Sequence, residues 1–557
     1  MRHGSNQNII LQSQNSDKAL SRGRSSYHDY GQSQLACSGI SNLYNLKKSI
    51  RINTIKNTPF TWSYESLDFD SLRTKIFEMR KKTKMSMAME WVAYALIGVF
   101  TGLTCAIMMS IEEFLIHEKR HLTDLIVQGK TGNLVYGWLF FSGFSMLMAL
   151  IAVCLTVFYG PGAVGSGITE LIAYLNGINY PKLLSFETLF TKIFGVLGAV
   201  VGSLCVGKEG PMAHIGANIG AAVAYLPLPQ FDYLRNDWIK RELIAAGVSA
   251  GVSTAFGAPV GGALFAYEMS KPNTFWRFGV LWKSFFSCSL AVLVQSVIRK
   301  LMTSGNANDV SAVHELKFKA TFVESPKMST IPAAVILGVI CGLLGSFFIW
   351  VNTNLNKKRK KIVTQNWQKI LEVLLFSLAT SSAFYWFPHL YNECKSNELV
   401  SEANLDLLVQ YDCDKGSYNP IATMFENEEV GAIRAIMSGF DGPGGIRLPP
   451  EQMVTYLLVW YLFTITTYGV WVPAGLFLPG IIVGCAVGAI YEEINQKLFP
   501  SVDDKDYSAS VVPVLLAVGA MLSAYCRMTY SLAVIMMETT ASINIFMPMF
   551  LAIMVAR

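Results

Sequence analysis

Apolar residues along this chain are collected into blocks, some long enough to cross a membrane and others about half that length. A helix needs about 20 apolar residues to cross the hydrocarbon core. Short apolar segments interrupted by Gly and Pro are typical of re-entrant half-helices that meet inside a transporter. The pattern therefore predicts an all-α polytopic membrane protein rather than a plain bundle. The blocks fall at roughly 87–110, 135–158, 185–206, 212–225, 243–267, 278–298, 331–350, 368–390, 453–470, 475–490, 511–524, 530–538 and 545–556.

The stretch before the first block divides into two parts. Residues 1–60 are rich in Ser, Asn and Gln and show little apolar periodicity, which predicts a disordered cytoplasmic tail. Residues 61–86 end in a basic run, and basic residues next to a membrane span mark its cytoplasmic side. We therefore expect a cytoplasmic N-terminus, a cytoplasmic segment over 61–86 and a transmembrane domain over 87–557.

A second basic run at 357–361 marks another cytoplasmic loop. If the next block crosses the membrane once, the polar loop 391–452 lies on the lumenal or extracellular side. Cys394 and Cys413 share this loop. The compartments on that side are oxidising, so a disulfide between them is one expectation and two free thiols are the alternative.

Composition supports the membrane interpretation and indicates which classes of partner to expect. Hydrophobic residues make up 52% of the chain and charged residues 15%, against about 25% charged in an average soluble protein. The net charge is +6, and the basic residues lie in short runs beside apolar blocks, so we expect a lipid bilayer as partner and no nucleic acid. No Cys-x-x-Cys pair is present, so no metal site is predicted.

Three glycine-rich segments interrupt the apolar pattern: GSGITELIAYLNG (165–177), GKEGPMAHIGANIG (207–220) and VPAGLFLPG (472–480). In each, glycines stand next to the start of an apolar block, which predicts a helix that begins inside the membrane. The free N–H groups and the positive dipole end of such a helix attract an anion. Three such ends directed at one point would replace the water around an anion.

The alternative explanation for these glycines is ordinary close packing between membrane helices. Two observations favour the anion site: the three segments occur together, and Lys208 and Glu209 lie in an apolar setting. Ionisable residues within a membrane are costly and usually functional. Ser166 adds a hydroxyl donor to the first segment.

These segments resemble the three anion-site signatures of the CLC family of chloride channels and chloride/proton exchangers: GSGIPE, GKEGP and GxFxP. The second signature is complete, the third is present as GLFLP (475–479), and the first has Thr169 in place of the usual Pro. The resemblance runs from about Tyr64 to the end. The stretches YESLDFD (64–70), 231–268 and GSYNP (416–420) are most similar to the eukaryotic endosomal–lysosomal branch.

This resemblance implies a double-inverted-repeat fold and a homodimer with one pore per subunit. It implies that chloride is the transported substrate and that Glu209 is the gating glutamate. Ser166 resembles the serine of the central site, and Phe477 the phenylalanine whose backbone amide lines it. The remaining chloride-binding positions that it implies are Gly165, Gly167, Gly207, Lys208, Gly210, Gly475 and Leu476.

One departure bears on mechanism. Exchangers of the family usually carry two acidic residues after the LF-x-x segment, the second being the internal proton acceptor. Here Glu268 keeps the first acid and Met269 replaces the second. A thioether cannot carry a proton at physiological pH. We therefore expect a voltage- and pH-gated chloride channel, with a chloride/proton antiporter of intracellular acidic organelles as the alternative.

An enzyme is not expected: HExxH is absent, and the one GxSxG match, GVSAG (247–251), lies inside the apolar block 243–267 and not at a strand-to-helix turn. His214 is the nearest candidate for a catalytic base, and we interpret it as a packed helix-face histidine. A non-conducting scaffold is a further alternative, although it would not need Glu209 or Ser166.

The family resemblance also sets expectations for the surroundings of the domain. The family's inner-gate tyrosine and its cytoplasmic CBS modules with their nucleotide site would follow Arg557, so we expect the natural protein to extend further. An accessory single-span subunit is a candidate partner. The branch favours an endosomal, lysosomal or other vacuolar membrane, with the plasma membrane as the alternative.

Overall fold

The predicted apolar blocks are helices in the computed structural model. It describes residues 84–557 apart from 129–133, 179, 181, 228–233, 235–236, 271–277, 305–327, 329, 392, 441–444, 447 and 499–509. The described residues belong to a unit that begins at Trp62. The predicted tail 1–60 and residues 61–83 of the predicted N-terminal segment lie outside the described residues.

The helices are numbered here in chain order. They are α1 Lys84–Gln128, α2 Leu134–Cys154, α3 Ile168–Leu175, α4 Phe186–Val201, α5 Glu209–Ala224, α6 Asp237–Phe256, α7 Pro259–Met269, α8 Phe278–Ser304, α9 Thr330–Ile362, α10 Asn366–Tyr391, α11 Pro420–Phe425, α12 Glu429–Ser438, α13 Pro450–Thr467, α14 Phe477–Leu498, α15 Val512–Cys526, α16 Tyr530–Thr540 and α17 Phe546–Ala556. A π-helical turn, Leu155–Tyr159, and a 3₁₀ turn, Pro161–Ala163, connect α2 towards α3.

Helix lengths are uneven, as the sequence predicts. Among the described residues, six helical segments are long and apolar enough to cross a membrane: Ala88–Val127, Leu134–Tyr159, Gly279–Met302, Thr330–Ile362, Asn366–Tyr391 and Phe477–Leu498. Helix α3 has only 8 residues, and α7 and α16 have 11 each. Because these lengths are too short to span a bilayer, the shorter helices must end or begin within it.

Two helix pairs pack closely in the two halves of the chain, α5 with α6 and α14 with α15. An added Cβ at Gly216 of α5 would lie 2.1 Å from the carbonyl oxygen of Gly247 of α6. In the second pair, a Cβ at Gly484 would lie 2.6 Å from the Cα of Val518. These glycines permit backbone contact between helices, so close packing explains them.

Helices α7 and α16 cap each other through carboxylates. Glu268, near the end of α7, accepts hydrogen bonds from the backbone N–H groups of Thr529 and Ser531 at the start of α16. In return, Glu538 near the end of α16 accepts from the N–H groups of Val260 and Gly261 at the start of α7. Each acid satisfies donors that a helix leaves unpaired in its first turn. The exchange matches an inverted repeat, because corresponding helices of the two halves receive equivalent caps.

The predicted loop 391–452 corresponds to the segment between α10 and α13. It contains the two short strands β1 Lys395–Ser396 and β2 Ser417–Tyr418, which pair antiparallel, followed by α11 and α12. Cys394 and Cys413 form a disulfide in this segment, with their Cα atoms 5.8 Å apart. The side of the membrane on which the segment lies stays a prediction.

Candidate anion site

The loops that carry the three signatures are joined by backbone hydrogen bonds. Gly165 of the first loop donates to the carbonyl of Val472 at 3.0 Å and accepts from the N–H of Ala474 at 3.1 Å. Gly207 of the second loop and Gly475 of the third exchange two hydrogen bonds of 2.8 Å each. The third loop therefore lies between the other two and pairs with both.

Each of these loops leads directly into a helix. Helix α3 begins at Ile168, α5 at Glu209 and α14 at Phe477. An added Cβ at Gly210, in the first turn of α5, would lie 3.1 Å from the Cβ of Ser166 and 3.5 Å from the Cα of Gly475. The three helix N-termini therefore meet, and their unpaired N–H groups and dipoles favour negative charge at that point.

Ser166 lies at this meeting point and is 9% exposed. Its Oγ accepts a hydrogen bond from the N–H of Ile168 at 3.3 Å. Gly165 and Gly167 on either side have φ angles of 69° and 79°, a region that favours glycine. Thr169, the departure from the family pattern, donates its hydroxyl to the carboxylate of Glu170, so it is accommodated at the start of α3 without displacing Ser166.

Glu209 is the first residue of α5 and only 2% exposed. Its carboxylate bends back over the preceding loop, since an added Cβ at Gly207 would lie 2.5 Å from Glu209 Oε2. A negative charge at a helix N-terminus is stabilised by the same donors and dipole that would hold an anion. The side chain can therefore compete with an anion for the site.

Lys208 directs its charge elsewhere. Its Nζ lies 3.1 Å from Oε1 of Glu112 in α1, and both side chains are buried. A buried lysine needs such a partner, because an unpaired charge in a low dielectric is costly. Lys208 thus forms an ion pair beside the site, whereas the sequence predicts it among the chloride-binding residues. Sequence reasoning did not single out Glu112, which follows the first apolar block next to a second acid, Glu113.

Phe477 begins α14 and is buried. Its ring contacts those of Phe256 at the end of α6 and Phe265 in α7, with centroids 5.6 and 5.9 Å apart. These contacts fix the first turn of α14 from the side. Leu476, which precedes it, is half-buried.

Lys192 is a residue of the site that the sequence interpretation missed. It lies in α4, is fully buried, and donates from Nζ to the carbonyls of Ala163 at 3.0 Å and Gly165 at 2.8 Å. It holds the loop that carries Ser166 and places a positive charge behind it. The signal was present in the sequence as a single lysine within the apolar block 185–206, since intramembrane charges are usually functional.

His214 is buried in α5, as the helix-face interpretation predicts. Its Nε2 lies 3.0 Å from the carbonyl oxygen of Leu183. Its Nδ1 faces the Cα of Gly167, where an added Cβ would lie 2.2 Å from it. The ring therefore packs behind the first loop and explains why position 167 has no side chain.

The proton-relay position is apolar in the structure too. Met269 ends α7 and is buried. Neighbouring Glu268 accepts four hydrogen bonds, two from backbone N–H groups and two from the hydroxyls of Thr529 and Ser531. These four donors hold the carboxylate at the start of α16. Among the described residues there is no group of three or more His, Cys, Asp and Glu side chains that could hold a metal ion.

Comparison with known proteins identifies the family. The family described as "Voltage gated chloride channel" matches residues 148–557 of this chain. The chain belongs to this family, the CLC family. The family predicted from the three glycine-rich segments is thereby confirmed.

Two curated CLC relatives cover most of this CLC chain. Chloride channel protein C of Dictyostelium discoideum is 30% identical over 484 residues, which are 84% of this chain and 62% of that protein. H(+)/Cl(-) exchange transporter 7 of Rattus norvegicus is 31% identical over 516 residues, which are 89% of this chain and 62% of that protein. The chain thus spans about 62% of the length of these relatives.

Solved CLC structures share the fold. A eukaryotic CLC transporter has a TM-score of 0.62 and 20% identity, covering 85% of this chain and 72% of that chain. A slow cyanobacterial Cl-/H+ antiporter has a TM-score of 0.64 and 19% identity, covering 84% of this chain and 93% of that chain. The predicted all-α CLC-type membrane fold is confirmed.

Proposed function

We propose that this CLC chain transports chloride across a membrane in exchange for protons. The anion would pass the meeting point of α3, α5 and α14. Two named similarities support exchange: the rat relative is an H(+)/Cl(-) exchange transporter, and the cyanobacterial structure is a Cl-/H+ antiporter. These comparisons favour the alternative in the sequence analysis over the expected channel.

The position of Glu209 is the observation that carries the proposal. An ionised carboxylate at the start of α5 would occupy the anion's place, and a protonated one would not. Chloride arriving at the site would therefore displace a carboxylate that has taken up a proton. One side chain then responds to both ions, which is the minimum that coupled exchange requires.

The surrounding residues suit an anion that has lost its water. Ser166 offers a hydroxyl, and the first turns of α5 and α14 offer backbone N–H groups. Lys192 occupies the carbonyls of Ala163 and Gly165, which would otherwise repel an anion. Because Lys208 is paired with Glu112, the nearby charge does not hold chloride so tightly that it cannot leave.

A passive chloride channel is the second candidate, and the residues at the end of α7 favour it. Met269 cannot accept a proton. Glu268 is occupied in a structural contact, since both of its carboxylate oxygens accept hydrogen bonds at the start of α16. In this alternative protons reach Glu209 from one side only and act on gating.

Purified full-length chain in lipid vesicles tests the proposal. The reversal potential is measured at fixed chloride while pH is varied, and proton uptake is followed under a chloride gradient. Exchange predicts that the reversal potential shifts with pH. It also predicts that a chloride gradient drives proton uptake when no proton gradient is imposed. A reversal potential that does not change with pH would establish the channel. Vesicles without chloride flux would contradict both the exchanger and the channel.

Met269→Glu extends the test. If the parent exchanges ions, an acid at this buried position adds a proton station, and the number of protons moved per chloride should rise. Leu264→Glu, on the same helix and half-buried, is the matched control for introducing an acid into α7. If the number of protons moved per chloride rises in both variants, any acid in α7 opens a proton path. Position 269 would then have no special role.

The remaining assignments are part of the same proposal. The basic run 357–361, predicted as a loop, forms the end of α9. We propose that this end of α9 and the N-terminus face the cytoplasm, and that the protein lies in the membrane of an acidic intracellular organelle. The family resemblance supports a homodimer with one pore in each subunit. Chemical crosslinking in membranes, with size determination of the crosslinked product, tests the dimer and also reveals an accessory subunit.

A further inference from the structure

Two histidines near the end of α1 have no part in the proposed anion site. His117 and His121 are four residues apart on this helix, so their side chains lie on one face a turn apart. Both are exposed, and 62% of the His117 side chain is accessible. The two imidazole rings are stacked, with centroids 6.2 Å apart and an angle of 8° between their planes. The structure thus places two nitrogen donors side by side on an accessible surface.

The rest of this helical turn is fixed by contacts inside the protein. Lys119 is buried and donates from Nζ to the hydroxyl of Ser203 at 2.6 Å. Arg120 donates to the side chain of Asn427, in the segment between α10 and α13. Because these neighbours hold α1 in place, the two histidine rings keep their relative position on its outer face.

The histidine pair lies where a span leaves the membrane. His117 is about 44 Å from Ala88, where the apolar part of α1 begins, at a rise of 1.5 Å per residue. The hydrocarbon core is only about 30 Å thick. The residues that follow His117, which are Glu118, Lys119 and Arg120, are all charged. Water and dissolved ions therefore have access to this face.

Imidazoles at positions i and i+4 of a helix are suited to chelating a transition metal. Zinc binds an imidazole nitrogen at about 2.0–2.1 Å, so two nitrogens on a tetrahedral ion are roughly 3.4 Å apart. The rings are exposed, and rotation about their side-chain bonds closes the remaining gap without moving α1. The Nδ1 atom of His117 lies 3.9 Å from Oε1 of Glu118. A carboxylate beside one ring nitrogen orients the imidazole and leaves the other nitrogen, Nε2, for a metal.

We propose that His117 and His121 bind one divalent transition-metal ion such as zinc, each through one imidazole nitrogen. Water completes the coordination, because among the described residues no group of three or more His, Cys, Asp and Glu side chains could hold a metal. Such a site exchanges its ion with the solution, whereas a structural zinc site has four protein ligands. Imidazole suits zinc, copper and nickel, whereas calcium and magnesium prefer oxygen ligands.

A metal bridge across one turn stabilises the helix around it. Binding requires both rings on one face, and a helical backbone provides that spacing. The ion therefore suppresses local opening at the end of α1, which ends at Gln128. The same turn carries Lys119, which holds Ser203 just before the second signature loop. The stabilised region thus includes a contact that supports the candidate anion site.

The binding test uses the purified full-length chain without an affinity tag, titrated with zinc chloride in a calorimeter. We expect at least tenfold weaker zinc binding in His117→Gln than in the parent, because a second ligand on the same helix binds at high effective concentration. His389→Gln changes a histidine of α10 and is the matched control, which should bind like the parent. Parent-like affinity in His117→Gln, or an equal loss in His389→Gln, would overturn the proposal.

A shifted pair distinguishes chelation from the mere number of histidines. The double variant His121→Gln with Leu122→His keeps two histidines, but at five residues apart they point about 140° away from each other around the helix. Leu122 is exposed, so its replacement leaves the core intact. We expect the shifted pair to bind zinc as weakly as His117→Gln. Zinc binding as strong as the parent's would show that the spacing has no role and would contradict the site.

Hydrogen exchange measures the effect of the metal on the helix itself. In the parent, the amides of residues 118–128 should exchange about threefold or more slowly with zinc than without it, and in His117→Gln the two rates should be equal. A parent whose exchange rates do not change with zinc would exclude a metal bridge across this turn. None of these measurements depends on ion transport, so the site is tested independently of the proposed function.

Discussion

Glu209 and Lys208 are adjacent in sequence, yet the fold gives their charges different surroundings. Lys208 forms a buried ion pair with Glu112. Glu209 begins α5 and bends its carboxylate over Gly207, next to the third loop. We therefore expect Glu209 to be the residue that takes up and releases a proton, and the Lys208–Glu112 ion pair to be structural.

Neutralising Glu209 should remove the pH dependence of transport. Glu209→Gln keeps the shape of the side chain but has no charge to compete with chloride and no proton to exchange. We expect chloride flux to continue, with weak dependence on pH and voltage and no coupled proton movement. Flux is measured in vesicles between pH 4.5 and 7.5.

Glu492→Gln is the control for this prediction. Glu492 lies far along α14 from the signature loop and accepts a hydrogen bond from the N–H of Ser510. Its variant should keep the parent's pH dependence. A Glu209→Gln protein whose pH dependence is as steep as the parent's would exclude Glu209 as the gate.

At the scale of elements, the exchange of hydrogen bonds between Gly207 and Gly475 fixes α5 relative to α14. An added Cβ at Gly475 would lie 2.6 Å from the carbonyl oxygen of Gly207 and 3.0 Å from Cδ of Pro211. Backbone and a proline ring cannot move aside as a flexible side chain would. The loops must therefore separate to admit even one methyl group.

We expect Gly475→Ala to abolish chloride flux or to lower it at least tenfold, because separated loops no longer direct two helix N-termini at one point. Flux per correctly inserted protein is measured in vesicles. Gly143→Ala in α2 is the matched control, since an added Cβ there meets nothing within 4 Å. Parent-like flux in Gly475→Ala would mean that the loop contact does not shape the pathway.

The reciprocal caps between α7 and α16 predict a stability effect. Glu268→Ala removes the acceptor for four donors at the start of α16 and should destabilise the protein by about 2 kcal/mol. The measurement is thermal unfolding in detergent. Glu398→Ala, at an exposed position of the loop between α10 and α13, should leave the midpoint unchanged. Equal midpoints for the two variants would show that the cap contributes nothing.

For the whole molecule, one buried acid between α10 and α13 links stability to pH. Burial raises the pKa of Glu426 from 4.5 to about 8; Asp124 raises it further, whereas Arg120 and Lys119 lower it. The folded protein therefore keeps a proton that the unfolded chain releases above about pH 4.5. The stability contributed by this proton is complete below that pH and is lost as pH rises through about 8.

Glu426→Gln should flatten this dependence. An amide has no proton to lose, so the unfolding midpoint of the variant should fall less than the parent's between pH 5 and pH 8.5. The midpoints are measured by thermal unfolding at both values, with the exposed Glu398→Gln as control. If the unfolding midpoints of the parent and of Glu426→Gln fall by the same amount between the two pH values, Glu426 is already ionised in the folded protein.

Much of the architecture was predictable because the signals are local. Most helices begin and end within a few residues of the predicted blocks. Three blocks were wrong: α1 and α9 continue past the predicted limits of 110 and 350 to Gln128 and Ile362, because polar residues can extend a helix beyond its apolar part, and the block 243–267 contains two helices, α6 and α7. Glycines and Pro211 marked the starts of α3, α5 and α14. The sequence also identified Glu209, Ser166 and Phe477 as candidates, since their motifs are contiguous. The proposed roles of these three residues await the experiments above.

Other features could not be read from the chain. The sequence by itself determined a membrane-embedded helical protein with three anion-attracting helix starts, because hydrophobic length, glycine breaks and helix dipoles depend on neighbouring residues. Only the tertiary structure decided which distant groups meet: Gly207 with Gly475, Lys192 with the carbonyl of Gly165, and Lys208 with Glu112. Such contacts are fixed by packing between helices far apart in the chain, and a single backbone hydrogen bond or a lone charged side chain leaves no periodic mark in the sequence.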